Sequence, residues 1–130
     1  MQIKQFLHGA ILVSNLEKAE KFYTEILGLS KIERLGKAQR LVGRSLKYPG
    51  TWYQVGEFQL HLIVHPDYQR KLTNTEKWGR NPHFAVAVDN LDEVKQRLEN
   101  YGLSFQMSAS GRAALFTQDP DGNIIEIAEM

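Results

Sequence analysis

Two stretches of this 130-residue chain are written to one plan, and that internal repeat limits the fold more than any local pattern does. The first runs Phe6-Leu-His8-Gly-Ala-Ile-Leu-Val-Ser-Asn-Leu16 and passes into an amphipathic stretch that stops at Gly28-Leu29. The second runs Asn81-Pro-His83-Phe-Ala-Val-Ala-Val-Asp-Asn-Leu91 and passes into one that stops at Gly102-Leu103. Each has an early histidine, an apolar strand, an Asn-Leu start and a Gly-Leu stop. Two halves of this kind fold as two copies of one supersecondary unit, so the elements of one half predict those of the other.

In the first half, residues 6–14 are short, apolar and partly β-branched, which predicts a strand. Leu16, Ala19, Phe22, Tyr23, Ile26 and Leu27 then recur at three- and four-residue spacing, as on one face of a helix. Ser14 with Glu17 offers a capping box, and Gly28 suits the left-handed stop. A strand is expected over 29–35, followed by a polar, basic loop up to Pro49-Gly50. Residues 52–55 and 58–64 read as a hairpin about Gly56-Glu57, with Phe58, Leu60, Leu62 and Val64 on one face and Gln59, His61, Ile63 and His65 on the other.

Residues 66–81 are polar, without a period, and read as a connector. The second half repeats the order: a strand near 82–88, then a helix capped by Asn90 and Glu93 that carries Leu91, Val94, Leu98 and Tyr101 on one face. A strand near 103–108 follows, and a hairpin over 113–118 and 124–129 closes through Asp119-Pro-Asp-Gly-Asn123, where proline presets φ and glycine takes positive φ. Each half is strand, helix, then three strands. This predicts an α+β protein with mixed sheet and helices on one face, in a single domain of two repeats, about 5–65 and 82–130.

Sixteen basic against fifteen acidic residues leave a net charge of +1, so no global field points to a nucleic-acid partner. Arg34, Lys37, Arg40, Arg44 and Lys47 do cluster, as a solvated loop or as a rim that attracts an anionic substrate. The absence of cysteine excludes disulfides, thiolate ligands and a cysteine nucleophile, and fits a reducing compartment. Near the start the apolar run covers only residues 10–13, so neither a signal peptide nor a membrane span is expected, and the expectation is a cytoplasmic protein.

The unusual polar residues fall in matched places. His8 and His83 sit on the first strand of each half, His61 on the last strand of the first and Glu126 on the last strand of the second. Counted from the hairpin glycines Gly56 and Gly122, His61 and Glu126 differ by one step. If the halves pair by pseudo-twofold symmetry, three imidazoles and one carboxylate face a common point, a set suited to Zn, Ni, Co, Mn or Fe(II). Singly, each histidine could be an ordinary hydrogen-bonded strand residue. Glu126 lies between Ile125 and Ile127, where an unpaired carboxylate is costly, so it needs a metal, a raised pKa or an arginine, and Arg112 is the available arginine. His65, followed by Pro66, has no counterpart and reads as a strand exit.

The repeat order together with His8, His61, His83 and Glu126 resembles the vicinal-oxygen-chelate superfamily of glyoxalase, bleomycin resistance and extradiol dioxygenase proteins. The likeness runs from Leu7 to Ile127 and is most specific over 8–29, 58–65 and 116–127. It implies two βαβββ modules forming a cupped, mixed eight-stranded sheet that chelates one divalent ion, usually in a homodimer whose site can draw on both subunits. It also implies a glyoxalase I-like lyase or isomerase acting on a small molecule with adjacent oxygens. His8, His61, His83 and Glu126 would be the metal ligands, Glu126 or His61 would move the proton, and Arg112, Trp52 and Tyr48 would bind substrate.

Departures matter. Glyoxalase-like members commonly carry glutamate in the slot of His61, so the site here has one negative charge fewer. The fosfomycin-resistance group has threonine two residues after the first histidine, where this chain has Ala10, and basic residues beyond the last ligand, where this chain has none after Glu126. His8, His83 and Glu126 also match the facial triad of Fe(II) extradiol dioxygenases. A third alternative is a drug- or metabolite-binding protein of the bleomycin-resistance kind, without chemistry.

Overall fold

The computed structural model describes residues 1–32 and 50–130. The chain divides into two compact units, Met1–Tyr68 and Gln69–Met130. In the first, β1 (His8–Val13) is followed by helix α1 (Leu16–Glu20), which runs into a π-helical segment (Lys21–Ile26), then β2 (Ser30–Lys31), β3 (Gly50–Val55) and β4 (Phe58–Val64). In the second, β5 (His83–Val88) leads to α2 (Leu91–Asn100), β6 (Phe105–Met107), β7 (Ala114–Gln118) and β8 (Ile124–Glu129).

The two sheets have one topology. Their strand orders are β1-β4-β3-β2 and β5-β8-β7-β6, each mixed, with the first strand parallel to the last and the rest antiparallel. The expected βαβββ order is therefore present in each unit. Hairpin β3–β4 turns at Gly56 (φ +61°) and β7–β8 at Gly122 (φ +84°), conformations that L side chains rarely adopt. In the second hairpin, the buried Asp119 carboxylate accepts from the Asp121 and Asn123 amides, both at 2.9 Å, and from Asn123 Nδ2 at 2.8 Å.

The helix faces follow the spacing. Ala19, Phe22, Tyr23 and Ile26 are buried in the first unit, and Leu91 and Leu98 in the second, each large apolar side chain contributing roughly 1.5–3 kcal/mol on burial. Two local expectations are corrected. The cap of α1 is Asn15, not Ser14: its side chain accepts from the Lys18 amide at 2.9 Å, as Asn90 accepts from Glu93 at 3.1 Å. Beyond Glu20 the helix widens, the Leu27 amide reaching back five residues to the Phe22 carbonyl at 2.9 Å.

This segment holds a polar cluster. Thr51 Oγ1 donates to Glu20 Oε2 at 2.6 Å, and Lys31 Nζ lies 2.8 Å from the same oxygen. Burial acts to raise the Glu20 carboxyl, but the hydrogen bonds from Lys31 and Thr51 and the charge of Lys31 outweigh it and hold it below its usual value. Burial pushes the neighbouring Tyr53 phenol up, its hydroxyl 2.7 Å from Thr24 Oγ1. No described helix is long and apolar enough to cross a membrane.

Candidate functional site

Strand register puts the polar residues in the same slots of the two sheets. On the last strand of the first unit, His61 lies opposite Ala10 of β1 and Trp52 of β3. On the last strand of the second, Glu126 lies opposite Ala85 of β5 and Phe116 of β7. His8 and His83 each precede the opposing alanine by two residues and so share its face. His8, His61 and Trp52 thus match His83, Glu126 and Phe116, position by position.

The two sets make different contacts. In the first unit three rings stack: His61 lies 4.1 Å from Trp52 at 7° and 4.1 Å from His8 at 14°. Its Nε2 lies 2.9 Å from the Gln59 carboxamide oxygen. The His8 and His61 rings thus lie face to face, one against the other. Of the expected substrate-binding residues, Trp52 is the outer plate of this stack. Tyr48 and the basic run from Arg34 to Lys47 lie outside the described residues.

In the second unit, charge replaces stacking. His83 Nδ1 lies 2.7 Å from the Asn81 carbonyl oxygen. A carbonyl can only accept, so Nδ1 carries the hydrogen and Nε2 is left to face Glu126 Oε1, 3.3 Å away. Arg112 donates through Nη2 to the other carboxylate oxygen, Oε2. The Glu126 side chain is 11 % exposed and Arg112 60 %, so the guanidinium reaches a largely buried carboxylate from the solvent side. Arg112 lies in the bend before β7 and reaches Glu126 from there.

Phe116 was not foreseen. Its ring meets His83 edge-on at 5.4 Å and 85°. It also lines a cleft of about 310 Å³ with Trp78, Gly79, Met107 and Ala109. The hairpin register could have identified it, because pairing Gln118 with Ile124 places Phe116 opposite Glu126. Among the described residues no three His, Asp or Glu side chains converge, and the candidate ligands come as one pair in each unit.

A pair made of an imidazole lone pair and a carboxylate oxygen is a donor set that calls for a proton or a cation between them. Imidazole nitrogen with carboxylate oxygen suits the borderline divalent ions. The Nδ1–H to carbonyl contact is the outer hydrogen bond that metal-ligating histidines usually make. The donor types suit a divalent metal ion, and the pair supplies two of the three or four ligands such a site uses.

The chain is similar to known proteins over nearly its whole length. Residues 5–127 match the family model described as the Glyoxalase/Bleomycin resistance protein/Dioxygenase superfamily. The Bacillus subtilis protein YwkD is 28% identical over 133 residues, spanning 99% of each chain. A lactoylglutathione lyase of Salmonella typhimurium is 24% identical over 130 residues, 96% of this chain and 92% of its own. The crystal structure of a glyoxalase family protein from Bacillus anthracis superposes with a TM-score of 0.75 at 23% identity, covering 99% of this chain and 97% of that one, and shares the fold.

Proposed function

Because the chain belongs to the Glyoxalase/Bleomycin resistance protein/Dioxygenase superfamily, we propose that it is a metal-dependent lyase or isomerase of the glyoxalase I type, acting on a small molecule with adjacent oxygens. The observation that carries this reading is the His83–Glu126 pair, with the imidazole proton held on Nδ1 and Nε2 turned to the carboxylate. His83 and Glu126 would hold a divalent ion (Zn, Ni, Co, Mn or Fe(II)), with His8 as a further ligand and His61 as a fourth ligand or a base. The two units then act as one domain, and two copies of the chain as a homodimer.

When bound, the ion supplies Lewis-acid stabilisation of charge developing on substrate oxygen. The chain supplies the proton transfer. Glu126 takes a proton from one carbon and returns it to the neighbouring carbon, so atoms and electrons balance without an outside oxidant. His61 is the other candidate for that transfer. Arg112 keeps Glu126 Oε2 engaged and leaves Oε1 for the ion or the proton. Trp52 and Tyr48 position the rest of the substrate.

The test is turnover of hemithioacetals by protein purified without a nickel column, with metal content measured on the same sample. Activity should vanish in Glu126→Gln, and a variant of undiminished activity would falsify the assigned role. One observation favours a second reading. The Arg112 guanidinium already gives Glu126 a countercharge, as in a binding protein that needs no metal. Uptake below about a tenth of an equivalent of every ion in the series would decide for that protein.

A further inference from the structure

The structure assigns a positioning role to Asn81, Gly79 and Phe116: together they hold the His83 ring with its Nε2 edge towards Glu126. Asn81 is 3% exposed, and its side chain works as a polar plug. Its Nδ2 donates to the carbonyls of Asn74 at 2.8 Å and Trp78 at 2.9 Å, and its Oδ1 accepts from the Asn74 amide at 3.0 Å. With that side chain tied down, the Asn81 carbonyl is a fixed acceptor, and the 2.7 Å contact from His83 Nδ1 sets the rotation of the imidazole about its own axis.

The second constraint comes from across the sheet. Phe116 meets the His83 ring edge-on, and the far end of the Phe116 ring abuts Gly79 in the 3₁₀ turn Trp78–Arg80. A Cβ built on Gly79 would come within 2.6 Å of Phe116 Cζ and 3.0 Å of both Cε atoms. Glycine lets the turn close on the end of that ring without a shift. Any side chain there must displace Phe116, and the displacement is passed to His83.

Core packing alone does not account for this arrangement. The His83 side chain is 23% exposed, so it gains little from burial, and a partly exposed ring without these contacts would sample several rotamers. What the contacts fix is direction. On the reading that His83 is a metal ligand, a fixed direction is what a ligand needs, and outer-shell partners of such histidines typically govern affinity by about 10–100-fold. The matching histidine of the first unit, His8, is held differently, against His61.

The experiment uses the full chain with Zn²⁺ alone as probe, in the wild type, Gly79→Ala, Phe116→Leu, the Gly79→Ala/Phe116→Leu double variant and Asn81→Ala. Zn²⁺ affinity is read by titration calorimetry. In metal-free protein, NMR reads the ring ¹⁵N shifts of His83, which report which nitrogen carries hydrogen, and its ring protons, which the Phe116 ring current displaces. Gly79→Ala should weaken Zn²⁺ binding about tenfold and move the ring-proton signals. The double variant should bind more tightly than Gly79→Ala because the smaller side chain makes room. Asn81→Ala should lose the Nδ1–H signature.

Unchanged affinity and unmoved His83 signals in both Gly79→Ala and Asn81→Ala would overturn the proposal. So would a folded double variant no better than Gly79→Ala. A wild type that takes up no Zn²⁺ sinks the metal reading instead, while the metal-free His83 signals still decide the positioning role.

Discussion

Arg112→Met separates the two things that bind Glu126. The guanidinium holds one oxygen of a carboxylate whose side chain is 11% exposed, and the substitution keeps most of the arginine's apolar reach while removing its charge. If both partners were buried, losing one would cost about 3–5 kcal/mol; an exposed pair is worth about 0.2–1 kcal/mol. The pair here is mixed, since Arg112 is 60% exposed and water screens it from one side. The expected loss for metal-free protein is therefore about 1–2 kcal/mol, between the two limits. That corresponds to a fall in Tm of about 3–10 °C for a chain of this length.

The same substitution should act in the opposite direction on metal. Arg112 and an ion compete for the charge of one carboxylate, so removing the guanidinium should tighten Zn²⁺ binding and narrow the stability gap when the ion is present. Urea denaturation in chelator and again with Zn²⁺, at pH 7 and with unchanged m-values, measures both effects. Metal-free stability within about 0.5 kcal/mol of wild type would show that Arg112 does not restrain Glu126. Zn²⁺ binding weakened by Arg112→Met would refute the competition and make the arginine part of the metal-binding arrangement.

Two further outcomes test the scaffold. Glu20 has a folded pKa below its unfolded value of 4.5, so its contribution is present above pH 4.5 and is lost as pH falls through the lower folded value. Glu20→Gln should flatten the stability-versus-pH curve in that acid window and leave its shape near neutrality unchanged; an acid limb as steep as in the wild type would remove Glu20 from the account. Asp119→Ala strips the β7–β8 turn of the carboxylate that accepts from two amides and the Asn123 side chain, and should cost about 2–4 kcal/mol in urea denaturation. A loss below about 0.5 kcal/mol would mean that proline and Gly122 alone fix the turn.

The architecture was legible because the chain states it twice. Each sheet strand except the short β2 lies close to where alternation and turn residues put it, and the Asp119–Asn123 turn joins the strands expected of it. The cap of α1 went to Ser14 because Ser-x-x-Glu is a strong local signature, but the repeat carried the better answer. Asn15-Leu16 aligns with Asn90-Leu91, and both asparagines cap. The π-helical segment was beyond reach. Its residues have ordinary helical spacing, and what distinguishes them is which carbonyl the Leu27 amide selects.

The site was legible as positions and not as contacts. Counting from the glycines left His61 and Glu126 one step out of register, yet the strand pairing puts them in one slot. The difference arises along the strands: each glycine stands two residues before the one that closes its hairpin, Phe58 or Ile124, but His61 lies three residues beyond Phe58 and Glu126 only two beyond Ile124. Once the slots coincide, the divergence of the halves becomes chemically informative. The first unit stacks His61 between Trp52 and His8, and the second sets a carboxylate between His83 and Arg112. A repeat that served folding alone would have no reason to place a buried carboxylate where its twin has a sandwiched imidazole, because that carboxylate must be compensated by a cation or a proton.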